Sequence, residues 1–141
     1  MRNEMMVGEG RVPPEWEMWR LGDLCNIQLG KMLDAANTIG DQCCYLTNKD
    51  VQWDRVFVDD LRTMPMTDEE KVKFSLRKGD LLVCEGGEVG RCAIWNEEIK
   101  NCYFQKTLHR VRSKNENVLI FIFRWTLYHS ASIGASLTQT L

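Results

Sequence analysis

From Lys78 the chain reads Lys-Gly-Asp-Leu-Leu-Val-Cys-Glu-Gly-Gly-Glu-Val-Gly-Arg-Cys-Ala-Ile-Trp, and after a polar break Cys-Tyr-Phe-Gln-Lys-Thr-Leu-His-Arg-Val-Arg, ending at Arg112. Leu81, Leu82 and Val83 form one short apolar run, and Ala93, Ile94 and Trp95 form another. Gly86, Gly87 and Gly90 lie between them and supply the permissive backbone that a tight reversal needs, so the stretch predicts a β-hairpin. A third β-prone run, Tyr103 to Val111, follows the break from Asn96 to Asn101.

The remaining segments fit around that core. Met1 to Pro14 is rich in glycine and charge, ends in Pro13-Pro14, and reads as a flexible N-terminal tail before a single domain over 15–141. Asp23 is placed to cap one helical turn through Leu24 and Cys25. Cys25, Ile27 and Leu29 then alternate with polar residues, as a strand with one buried face requires. Lys31 to Gln42 has no clean period and reads as a loop. Cys43 to Leu46 predicts a strand, and Trp53 with Val56-Phe57-Val58 predicts another across a turn at Asp54-Arg55. Thr67 with Glu70 three residues on is a capping-box pattern and predicts a short helix to about Ser75. Val118, Leu119, Phe121, Ile122, Trp125 and Tyr128 fall at helical spacing, and their aromatic face reads as core. The fold class expected is α+β: a twisted, mostly antiparallel and partly barrel-like sheet, a short helix near 68–75 and a longer C-terminal helix near 116–131.

A chain of 141 residues is one domain by length, able to bury roughly two thirds of its unfolded surface. No leading segment has the pattern of an export signal, and the apolar run from Val118 to Phe123 is far short of the ~20 residues a membrane span needs. A cytoplasmic location is expected. None of the six cysteines forms a Cys-x-x-Cys pair, so buried, reduced thiols are expected rather than zinc ligands. The net charge of −2 is not the footprint of a strong independent DNA binder. After Ile99, however, six cations face the single Glu116, and a basic end of this kind suits phosphate as well as it suits plain solvation.

Catalytic signatures are sparse. Glu85 and Glu88 are the best candidates for paired carboxylates, but residues three apart in a glycine turn have no fixed separation, and a polar hairpin tip is the better reading. Gly-Gly-Glu-Val-Gly-Arg lacks the Gly-Lys-Ser/Thr ending of a phosphate loop, and no Gly-x-Ser-x-Gly elbow occurs. No cofactor is implied.

Three separated blocks carry a family resemblance. The hairpin block with Gln105 and Leu108 to Arg112, the upstream Trp19-Arg20-Leu21-Gly22-Asp23-Leu24, and Tyr45-Leu46-Thr47-Asn48-Lys49-Asp50-Val51 together resemble the target recognition domain of a type I restriction-modification specificity subunit. The likeness runs from about Trp16 to Ser136. It implies a non-catalytic protein that reads one half of a split double-stranded DNA target. It also implies docking with methyltransferase subunits, which use S-adenosylmethionine, and with restriction subunits, which hydrolyse ATP. Groove readout calls for Arg, Lys, Asn and Gln. The positions that meet this need within the resemblance are Lys31, Asn48, Lys49, Arg91, Lys106, Arg110 and Arg112.

On the third strand, Lys106, Arg110 and Arg112 are expected to share a phosphate-facing side, with Gln105 and His109 structural and His109 closing a hydrogen bond in the core. The family's spacer helix would follow about where this chain stops. That implies a truncated or single-domain form whose docking platform is incomplete, and with Leu137 and Leu141 uncovered, self-association as a dimer or higher oligomer is expected. The alternative is a protein-interaction module or a non-functional remnant of such a subunit, favoured by the acidic net charge.

Overall fold

The structure, a computed structural model, describes residues 6–7, 10–11, 13–15, 17, 19–36, 38–115, 120, 124 and 128. In chain order its elements are β1 (Met6–Val7), β2 (Gly10–Arg11), α1 (Leu21–Leu24), β3 (Cys25–Leu29), β4 (Asp41–Leu46), β5 (Val51–Gln52), β6 (Arg55–Val56), β7 (Arg62–Met66), α2 (Asp68–Lys73), β8 (Leu81–Cys84), β9 (Cys92–Ile94), β10 (Tyr103–Phe104) and β11 (Leu108–Ser113).

The expected hairpin is β8 and β9, paired antiparallel from Leu81↔Ile94 to Val83↔Cys92. Gly87 and Gly90 take positive φ at its tip, the conformation glycine adopts without cost. β11 pairs on the other side of β8 and is joined at its far edge by β3, giving a four-stranded antiparallel sheet in the order β3-β11-β8-β9. All four residues of β8 are buried because both faces of this sheet are covered. Leu82 and Cys84 point into a core shared with Leu46, Met66, Trp95 and Phe104. Leu81 and Val83 point the other way, into a smaller core with Cys25, Cys92 and Val111 that is roofed by Leu21, Leu24 and Ile120.

A second sheet, β10-β4-β7, faces the larger core, with β4 parallel to β10 and antiparallel to β7. Pro65 lies in β7, at the sheet's edge, where a missing N–H is tolerated. The two sheets meet at Gly30. Its N–H donates to Leu108 O, and Lys31, bridged to Gln105, donates its N–H to Phe104 O. The backbones approach so closely that a Cβ on Gly30 would lie 2.2 Å from Gln105 O.

α2 begins with the expected capping box: Glu70 N–H donates to Thr67 Oγ1 and Thr67 N–H donates to Glu70 Oε2. The helix ends at Lys73, two residues before the position read from sequence.

Several expectations are corrected. The sheet system is two sheets and two small ladders, with no closed barrel among the described residues. The run from Tyr103 to Val111 is not one strand, because a turn at 105–107 passes the chain from one sheet to the other. The hairpin of β5 and β6 turns at Trp53-Asp54, with Asp54 at positive φ, one residue earlier than expected. α1 begins at Leu21 with no side-chain cap, so Asp23 sits inside the turn and does not cap it. Apart from these corrections, β1 pairs antiparallel with β2 near the N-terminus. Most of the C-terminal helix expected near 116–131 lies outside the described residues, although Ile120, Arg124 and Tyr128 are helical. Leu137 and Leu141 also lie outside them.

No described helix is long and apolar enough to cross a membrane. All six cysteines are free thiols, five of them buried, and burial pushes the Cys92 thiol up to about 12.

Candidate nucleic-acid interface

Three turns converge at one end of the molecule: 47–50 after β4, 85–90 between β8 and β9, and 105–107 between β10 and β11. Thr107 joins them. Its Oγ1 accepts from Asn48 N–H at 3.0 Å, its carbonyl accepts from Glu85 N–H at 2.9 Å, and Asn48 Nδ2 donates to Gly86 O at 3.1 Å. Polar turn residues make this local order possible. Asp50 Oδ2 accepts from both Thr47 N–H (2.7 Å) and Thr47 Oγ1 (2.9 Å), closing the 47–50 turn on itself.

Arg91 braces the assembly from within. Its Nη2 donates to Asn48 O at 2.7 Å, its Nε donates to Val51 O at 2.8 Å, and it pairs with Glu88, which also accepts from Trp53 Nε1 at 3.0 Å. Glu88 therefore serves as a structural acceptor at the hairpin tip. Between these turns and β7 opens a cleft of about 410 Å³ whose walls include Leu33, Asn48, Lys49, Arg62, Gln105 and Thr107. Lys49 and Arg62 are exposed there, and Lys106 is exposed on the adjoining turn.

The structure thus gathers Asn48, Lys49, Arg91 and Lys106 at one end, with the Lys31 backbone beside them, its carbonyl accepting from Lys106 N–H at 3.0 Å, while the charged groups of Lys31, Arg110 and Arg112 are taken up by partners elsewhere. Lys31 is buried, its ammonium 2.6 Å from Glu70 Oε2 and 2.8 Å from Pro65 O. The same contact holds the Glu70 carboxyl below its ordinary range. Arg110 is buried, donating to Lys73 O and Ser75 O at the end of α2 and lying over the Phe104 ring. Burial and the neighbouring Arg112 push its guanidinium down to about 10, against the pull of Asp80.

Arg112 grips Asp80 with two hydrogen bonds of 2.7 Å. Five residues of extended chain from Thr107, it lies roughly 16 Å from the turn cluster. Lys106, Arg110 and Arg112 therefore do not share one exposed strand face. Lys106 is in a turn, and the two arginines satisfy helix-end carbonyls and a buried carboxylate.

Gln105 is structural as expected, its Oε1 accepting from Thr107 N–H and Oγ1. His109 is not. Its Nδ1 is buried without a hydrogen-bond partner, because its cross-strand neighbours are Leu29 and Val83. Sequence reading also missed Arg62 and Thr107, the first because β7 was not expected and the second because nothing local marks a junction of three distant turns. Among the described residues, no three His, Cys, Asp or Glu side chains converge as metal ligands would.

Residues 13–139 match the model of the type I restriction modification DNA specificity domain. The chain belongs to that family. Solved structures share the specificity-domain fold: the HsdS subunit from Thermoanaerobacter tengcongensis, with a TM-score of 0.66 and 20% identity over 95% of this chain and 32% of that one. A second comes from a structure described as underlying complex assembly and conformational transition of the type I R-M system, with a TM-score of 0.62 and 19% identity over 92% and 31%. This specificity domain therefore spans about a third of the length of those chains. No curated protein matches it.

Proposed function

We propose that this domain reads one half of a split double-stranded DNA target within a type I specificity subunit and makes or breaks no bond itself. Family membership supports the reading, and the convergence of three polar turns around Thr107 carries it. Lys49, exposed in the cleft wall, and Lys106, exposed on the adjoining turn, would take phosphates, while Asn48 and Arg62 offer amide and guanidinium groups to base edges. In this reading Arg91 positions the turns, Lys31, Arg110 and Arg112 hold the fold behind them, and none of the four touches DNA. The methyltransferase and restriction subunits are the proposed protein partners.

One observation favours a protein-binding role instead: Asp59, Asp60, Asp68 and Glu69 are all exposed. Selection from a pool of random duplexes at low salt separates the two. Enrichment of a motif a few base pairs long supports recognition, and failure to retain any duplex supports the protein-binding role.

A further inference from the structure

The loop from Met32 to Gly40 holds three large apolar side chains in water: Met32 at 64% exposure, Leu33 at 51% and Ile39 at 72%. A single exposed leucine is ordinary, but three on one short loop are a patch that asks for an apolar partner. Leu33 occupies a particular place in it. It belongs to the wall of the polar cleft, together with Lys49, Arg62 and Gln105. It also belongs to the wall of a second cavity of about 450 Å³ that runs beside Thr63 and Pro65. It is a ridge dividing the two. The loop's ends are anchored, Lys31 by its buried ion pair with Glu70 and Gly40 by the close approach of Met66 O, so the ridge is held against the cleft.

Resting on the DNA reading above, we infer that Leu33 is a specificity residue that packs on the 5-methyl group of a thymine whose polar edge lies in the cleft. The chemistry is one of elimination. Hydrogen-bonding groups line most of the cleft, and they suit base edges. In the major groove the one apolar feature a base pair presents is the thymine methyl. An apolar ridge beside donors therefore matches a thymine, whose O4 accepts while its methyl needs a greasy neighbour. Leu33 reaches no protein core, so its identity is open to tuning without cost to the fold.

Uracil differs from thymine by that methyl alone. The duplex enriched by selection is resynthesised with each thymine in turn replaced by uracil, and its affinity is measured for the wild type, Leu33→Ala and Leu33→Met. At one position the wild type should lose roughly fourfold, the equivalent of one buried methyl at about 0.8 kcal/mol. Leu33→Ala should bind the thymine and uracil forms alike, Leu33→Met should keep the distinction, and circular dichroism should show both variants folded.

The inference is overturned if no single replacement matters, if Leu33→Ala keeps the ratio, or if the enriched motif has no fixed thymine. Each of these leaves DNA recognition standing. Failure to enrich any duplex instead removes both.

Discussion

Replacing Arg112 with alanine leaves the Asp80 carboxylate, 2% exposed, without either of its guanidinium hydrogen bonds. What remains is the Arg77 N–H at 2.7 Å. Removing one partner of a buried pair costs roughly 3–5 kcal/mol, because a charge is stranded away from water. The Arg112 side chain is itself 20% exposed, so solvent screens part of the pair and the low end, about 3 kcal/mol, is expected. For a domain of this size that is a fall in Tm of roughly 10 °C.

Urea unfolding followed by tryptophan fluorescence should show a lower midpoint with an unchanged m-value. Combined with Asp80→Ala, the double variant should lose less than the sum of the single losses, since neither charge is then left alone. Where the protein is folded, its DNA affinity and salt dependence should match the wild type. Unchanged stability together with a salt slope smaller by about 1 would refute this reasoning and return Arg112 to the phosphate backbone.

Lys49→Ala and Lys106→Ala should behave in the opposite way, leaving stability intact and weakening binding to all duplexes, each lowering the salt slope by about 1 in a titration series. Gly30→Ala drives a methyl into Gln105 O where the sheets join, and calorimetry should show a loss of about 1–3 kcal/mol or more. Glu70 has a folded pKa below its ordinary 4.5, so the stability it contributes is complete above that value and is lost as pH falls through the lower folded value. The gap in urea midpoint between wild type and Glu70→Gln should accordingly be wide at about pH 7 and narrow as the solution is acidified below 4.5.

The features legible in the sequence are those whose cause is local. A capping box declares itself in four residues, and glycines between apolar runs declare a hairpin. β7 was illegible because its buried residues are methionines around Pro65, and only its place at a sheet edge makes that proline acceptable. The site was half legible. Asn48, Lys49 and Lys106 were named from residue type and resemblance, and the fold brings them together. Arg110 and Arg112 have the same chemistry as a phosphate contact, and only distant partners, the end of α2 and Asp80, show where their charges point. A residue such as Thr107 acquires its role from three turns far apart in sequence, which no local pattern records.

Where DNA touches the domain is most directly seen by mapping amide chemical shifts of the labelled protein as an enriched duplex is added. The largest changes should fall on Asn48, Lys49, Gly86, Gly87 and Lys106, with Ser75, Asp80 and Arg112 unmoved. Changes centred on Ser75, Asp80 and Arg112, with the three turns silent, would contradict the interface described above.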